Sequence, residues 1–270
     1  GVDPLAEKYP NVGGYVYCMQ NPVLYIDPNG MENVVTVGNQ GNSPNSDTQY
    51  KDKRHFLERG LNDAIDLKKN HTEKGEQTTM IVYKGQYTNS EMNSYKERAG
   101  KNGINFIEAN SADDIVNYIN TKSVSGTSDT RSNDVITDFE YVGHGHPQEG
   151  FLVGYHMNDE KFKSEKFQAS AFDPKANFKL FGCGQGLTSA KMSSYYSNKK
   201  MGSTLMDDVS TRLTSGTIIG YNVTLIWGPK LGTFSPFNLS YAYPDDRNGA
   251  TIRFNVPVEE RRVVLQGNRK

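Results

Sequence analysis

The run INFIEANSADDIVNYINT, residues 104–121, passes from a short apolar strand pattern into a helical one. Residues 104–109 predict a strand, and Ser111 is placed to cap a helix in which Ile115, Tyr118 and Ile119 recur on one face. A similar unit precedes it. TTMIVYK (78–84) predicts a strand and NSEMNSYKERAGKNG (89–103) a helix stopped by glycines. Upstream, Leu57, Leu61, Ala64 and Ile65 recur at helical spacing between Lys51 and Lys69. Strands alternating with helices argue a parallel sheet, because each helix must return the chain to the starting edge.

Working outward, the polar loop TKSVSGTSDTRSN (121–133) leads to a third strand in TDFEYVGHGHPQEG (137–150) and then a fourth in NFKLFGCGQG (177–186). The loop is a candidate for nicking, at Lys122 or Arg131. The third strand carries Asp138 and Glu140 in parity with His144, so its first half is expected to be exposed. STLMDDVSTRLTSGTIIGYNV (203–223) predicts a helix, a glycine stop and a fifth strand. Apolar residues alternating around PDDRNG (244–249) predict a C-terminal hairpin.

Composition narrows the function classes. The 270 residues allow one substantial core plus an appendage. A net charge of −1 with scattered basic residues gives no electrostatic case for nucleic acid or a membrane. No run approaches the roughly 18 apolar residues of a membrane helix. No signal pattern opens the chain either, so a soluble protein is expected, exported if at all by another route. The two cysteines, Cys18 and Cys183, lie in segments of different character, so reduced thiols are expected.

Two of the five histidines sit between or beside glycines at the end of the third strand, and Cys183 takes the corresponding place after the fourth. In an open parallel sheet the functional crevice lies beyond the carboxyl ends of the strands. Adjacent strands are about 4.8 Å apart, so side chains just past two neighbouring ends can meet. A cysteine is the strongest side-chain nucleophile near neutral pH, and an imidazole beside it can hold a thiolate and protonate a leaving amine. The flanking glycines let backbone approach a substrate, with the amides of Gly145 and Cys183 facing a developing oxyanion. Taken singly, a strand-end cysteine is as readily a buried apolar residue, and a loop histidine as readily a hydrogen-bonded one. Trp227, after the fifth strand, is a candidate for the cleft lining or for the core.

The order of these motifs over residues 78–227 resembles the caspase-like (clan CD) cysteine peptidases, in which an apolar strand ends in His-Gly and a later one in the catalytic Cys. The resemblance implies an α/β fold, a parallel-sheet sandwich with helices on both faces. It implies an endopeptidase with His144 as general acid/base, Cys183 as nucleophile and Gly145 as oxyanion donor, needing no cofactor and no metal. The chain departs from the commoner pattern in having Gly182 before the cysteine and a second imidazole at His146.

A second resemblance lies at the other end. GVDPLAEKYPNVGGYVYCMQNPVLYIDPNGME (1–32) is dense in turn residues and cannot bury a core alone. DPLAEKYPN and the later YVYC, QNPV and YIDP runs resemble the end of the core of bacterial Rhs repeat-associated proteins, which carry a variable toxin after this motif. The resemblance covers residues 2–31. It implies a secreted or delivered toxin acting in the target-cell cytoplasm. Its implied partners are the Rhs cage of the same polypeptide, a protein substrate and a cognate immunity protein, with neither nucleic acid nor membrane among them. Cutting after the motif would implicate Asp27 and separate Met31 from Glu32. Residues 1–31 are thus expected to end the Rhs core, 32–50 (ENVVTVGNQGNSPNSDTQY, one short β-like run and then a polar tract) to be a linker, and 51–270 to be the peptidase, folding from about residue 45.

The rival readings are a zinc-dependent hydrolase, with ligands among His144, His146, His156 and Cys183 completed by Glu149 or Asp159, and a nuclease toxin. The first lacks HExxH and Cys-x-x-Cys, the second a recognisable HNH spacing or a basic-aromatic stripe. A pore-forming module would need a long amphipathic or apolar segment.

Overall fold

The computed structural model describes residues 30–39, 55–71, 76–125, 131, 134–154, 159–195, 202–222, 225–229, 240–244 and 262–269. Strand β1 (Met31–Val37) is followed by α1 (His55–Asn70), β2 (Gln77–Tyr83), α2 (Asn89–Lys101), β3 (Asn105–Ala109), α3 (Ala112–Thr121) and β4 (Val135–Val142). Two short strands, β5 (His144–His146) and β6 (Gly150–Leu152), form a hairpin, and β7 (Lys161–Phe162) pairs with β6. Then come β8 (Phe172–Phe181), the short helices α4 (Ser189–Tyr195) and α5 (Leu205–Asp208), and β9 (Thr217–Tyr221). A π-helical turn, Val209–Leu213, extends α5. The last strands are β10 (Leu225–Pro229), β11 (Ser240–Pro244) and β12 (Arg262–Gln266).

The main sheet has seven strands in the order β12-β9-β8-β4-β1-β2-β3. All neighbours are parallel except β12, which runs antiparallel to β9. Successive strands move outward from β1 to β3 on one side and from β4 to β9 on the other. The topological switch point therefore falls between β1 and β4, where crevices open in such sheets.

Local chemistry fixes the helices. Ser111 caps α3 through a reciprocal box with Asp114, as its position in the sequence predicts, and Thr88 does the same for α2 with Glu91. The apolar stripe Phe56, Leu57, Leu61, Ala64 and Leu67 of α1 packs with Met92, Tyr95 and Ala99 of α2 on one face of the sheet, over Val35, Val37, Met80, Val82, Val142 and Phe181. On the other face, Ile115, Tyr118 and Ile119 of α3 and Leu205, Met206 and Val209 meet Val34, Ile81, Phe139, Phe178 and Ile218. The chain is thus an α/β sandwich, a mostly parallel sheet flanked by helices.

Two expectations are corrected. The segment 32–50 begins as the central strand: β1 pairs with β2 on one side and β4 on the other, and Val34, Val35 and Val37 are fully buried. The short β-like run at its start is this strand, and its polar residues are satisfied at a distance. Glu32 is buried, takes Arg131 Nη1 at 2.6 Å and the Tyr118 hydroxyl at 2.8 Å, and accepts from Thr79. Second, the first half of β4 is covered: Asp138 accepts from Asn177 Nδ2 at 3.2 Å, and Glu140 pairs with Lys179. The turn of the expected C-terminal hairpin and the residues after it, 245–261, lie outside the described residues; β11 pairs with β10, and β12 joins the main sheet. The Rhs-like residues 1–29, Asp27 and Cys18 among them, lie outside the described residues.

These corrections bear on cutting. The Met31–Glu32 bond opens the central strand, Met31 being paired with Val135 and Glu32 with Gln77 and Ile136. Cleavage there in the folded domain would require the start of β1 to leave the sheet. Arg131 is likewise held inside, donating to the Tyr118 carbonyl as well as to Glu32.

The charges beneath α1 make stability depend on pH. Asp63 pairs with Arg59 at 2.5 Å, while His71 lies between Glu76 at 2.5 Å and Asp138 at 3.5 Å. Burial first, and then Glu140, push Asp63 up to about 7, against the pull of Arg59 and Lys179. The unfolded chain releases this proton near the ordinary 3.8, so between about 4 and 7 the native state binds the extra proton. The group's contribution is therefore favourable at low pH and is lost as pH rises towards 7. In urea titrations across this range, Asp63→Asn should gain stability relative to wild type as pH rises; a difference that stays constant would contradict this. Asp138, raised chiefly by burial, titrates in the same direction in both proteins and drops out of the comparison.

Candidate active site

The register of β4 and β8 sets the site. Val142 lies opposite Phe181 in adjacent parallel strands, and the Gly143 amide donates to the Phe181 carbonyl at 3.3 Å. His144 and Cys183 each follow two residues later, so both leave the sheet at the same level, beside the switch point. The structure thus brings these two to neighbouring strand ends. Both are half-buried. The His144 ring meets Phe56 of α1 edge-on, with centroids 5.1 Å apart, and Cys183 packs against the core on that same face. The first turn of α1 therefore flanks the site, where the Arg59 guanidinium also lies 4.2 Å over the Phe181 ring.

Tyr141, the strand residue before Val142, organises the turn behind His144. Its hydroxyl reaches the carbonyls of His144 at 2.7 Å and Leu152 at 2.9 Å, tying both strands of the β5–β6 hairpin to β4. Complete burial, and then the nearby Cys183, push its phenol well above the ordinary value, so it remains a neutral donor. The hairpin in turn covers the end of β1, where the Asn39 amide donates to the Val153 carbonyl at 2.7 Å.

Gly145 lies in β5, opposite Phe151. The glycines also serve the packing between the two loops. A β-carbon on Gly145 would fall 2.7 Å from Gln185 Cδ, and one on Gly182 would fall 2.4 Å from Gln185 Oε1, so any larger residue at either place would displace that side chain. Gly184 adopts φ +67°, a left-handed conformation that L side chains rarely take, and this turns the chain directly after Cys183.

Other sequence candidates fall elsewhere or are occupied. His146 Nδ1 accepts from the amides of Gln148 and Glu149, each at 3.2 Å, and so closes the 147–149 turn. Glu149 pairs with Lys161 at 2.7 Å. Trp227 lies in β10, paired with Ala242, and its side chain is outside the described residues, as is His156. Among the described residues no group of three or more His, Cys, Asp or Glu side chains is arranged to hold a metal, and no helix is long and apolar enough to cross a membrane. A cavity of about 650 Å³ opens beyond the ends of β1 and β2, lined by Asn39, Tyr83, Gln86, Asp159, Glu160 and Lys161.

Sequence reasoning missed Tyr141 and Gln185. For Tyr141 there was no local signal, because an aromatic in a buried strand is ordinary. Gln185 had one: a long polar side chain between glycines, immediately after the cysteine. Compared with family models, with curated proteins and with solved structures, the chain matches none.

Proposed function

We propose that this chain is a cysteine endopeptidase of caspase-like type, the toxin cargo of an Rhs-type effector, working on target-cell proteins through His144 and Cys183. The observation that carries the peptidase reading is the register: an imidazole and a thiol leave adjacent parallel strands at one level, on one face, beside the switch point. In this reading Cys183 Sγ attacks the scissile carbonyl carbon and His144 gives its proton to the leaving amine. Water then adds to the thioester, His144 takes up the water's proton, and the acid product leaves with the thiolate restored. The Gly145 amide, with that of Cys183, receives the developing oxyanion. The resemblance of residues 2–31 to an Rhs core end supports the delivery half of the proposal, with action in the target-cell cytoplasm and a cognate immunity protein in the producer.

Selective alkylation tests the thiol's role. Iodoacetamide at neutral pH, where an ordinary thiol of pKa about 8.5 is mostly protonated, should modify Cys183 before Cys18 and abolish cleavage in step. Equal labelling of the two cysteines, or cleavage that persists after Cys183 is fully modified, would count against the reading.

A further inference from the structure

Gln185 is fully buried, yet it carries an amide in a place that a space-filling residue would leave apolar. Its Nε2 donates to the Gly150 carbonyl at 3.1 Å, at the far end of the hairpin that bears His144. Its backbone amide donates to the Gly182 carbonyl at 3.3 Å, closing the turn that bears Cys183. Between these anchors the side chain passes against Gly145 and Gly182, the neighbours of the two reactive residues. Side chains alternate along β5, so the Gln185 amide braces the hairpin on the face opposite the His144 ring. Its Oε1 is buried without a hydrogen-bond partner. A buried polar atom left unpaired is unfavourable, and a methionine of the same length would avoid it. The amide's presence is explained by the bond to Gly150.

We propose that Gln185 is a positioning residue that fixes the His144 hairpin against the Cys183 turn, and so sets the approach of imidazole to thiol. This rests on the dyad reading above. Neither hydrogen bond of Gln185 involves a reacting atom, so its influence passes through backbone. Gly145 and Gly182 belong to the same device: each must lack a β-carbon for the amide to lie where it does.

The test reads Cys183 alkylation by iodoacetamide against pH, which needs no substrate, in wild type, His144→Ala, Gln185→Met and Gln185→Glu. Wild type should alkylate at lower pH than a free thiol, and His144→Ala should abolish that advantage. Gln185→Met should shift the profile towards that of His144→Ala, and lower kcat up to about 100-fold with KM little changed, as for a misplaced reacting group. Gln185→Glu supplies a second readout within one folded protein. Its carboxyl, when protonated, can donate to the Gly150 carbonyl and preserve the wild-type rate, whereas when ionised it cannot, so alkylation relative to wild type should fall as pH rises. A structural role alone would lower the unfolding midpoint of both Gln185 variants and leave both profiles as in wild type, which would overturn the proposal. A wild-type profile indistinguishable from that of His144→Ala would instead overturn the dyad, and this inference with it.

Discussion

A chain begun at residue 45 should fail to fold, whereas one begun at Gly30 should unfold in a single cooperative transition. The difference is β1. It is hydrogen-bonded to β2 and β4, so its loss exposes two strand edges and splits the sheet at its centre. Burying Val34, Val35 and Val37 contributes about 1.5–3 kcal/mol for each side chain. Removing Glu32 leaves Arg131 buried without its carboxylate, at a cost of about 3–5 kcal/mol. Together these are comparable with the roughly 5–15 kcal/mol that holds a domain of ordinary stability. Urea unfolding followed by circular dichroism distinguishes the two chains. A cooperative transition of equal midpoint and slope from the shorter one would show that β1 is dispensable.

Cys183→Ala and His144→Ala should each lower peptide cleavage by a factor on the order of 10⁴ to 10⁶, and the double variant should be little worse. Near-complete non-additivity is expected because neither group of such a pair accelerates cleavage without the other. His146→Ala should cost far less, since the Nδ1 of that ring is occupied in closing a turn. The series separates the reading from a zinc hydrolase, in which the histidines would be comparably severe and a chelator would remove activity that added zinc restores. In reducing buffer the proposed dyad should be indifferent to chelator. Cleavage surviving Cys183→Ala, or requiring zinc, would transfer the chemistry to a metal.

Much of the α/β pattern was legible because its signals are local. The capping box at Ser111, the glycine stop after α2 and the apolar strands β2 and β3 declare themselves within a few residues. The adjacency of the strands that precede His144 and Cys183 was legible for a related reason: each is an apolar run, and the sheet shows the two side by side. Long-range polar pairing was not legible. The polar tract after the short β-like run made all of 32–50 read as a linker, and the cation that Glu32 meets lies 99 positions away in Arg131. Asp138 and Glu140 misled in the same way, their partners Asn177 and Lys179 lying on β8. With that β-like run read as part of a linker and not as a strand of the sheet, the switch point between β1 and β4 was not legible, nor was the topological reason it gives for a site beside His144. Gln185 is a further instance: its contacts with Gly145 and Gly150 exist only after the two loops have met.

The central claim is peptide-bond hydrolysis by the Cys183 thiolate, and the most direct measurement maps new protein N-termini in a bacterial lysate treated with wild type or with Cys183→Ala, in reducing buffer containing chelator. The proposed mechanism predicts N-termini that appear with wild type, share a residue preference before the cut, and are absent with the variant. The same set of N-termini from both proteins, or none from a wild-type protein shown to be folded, would contradict it.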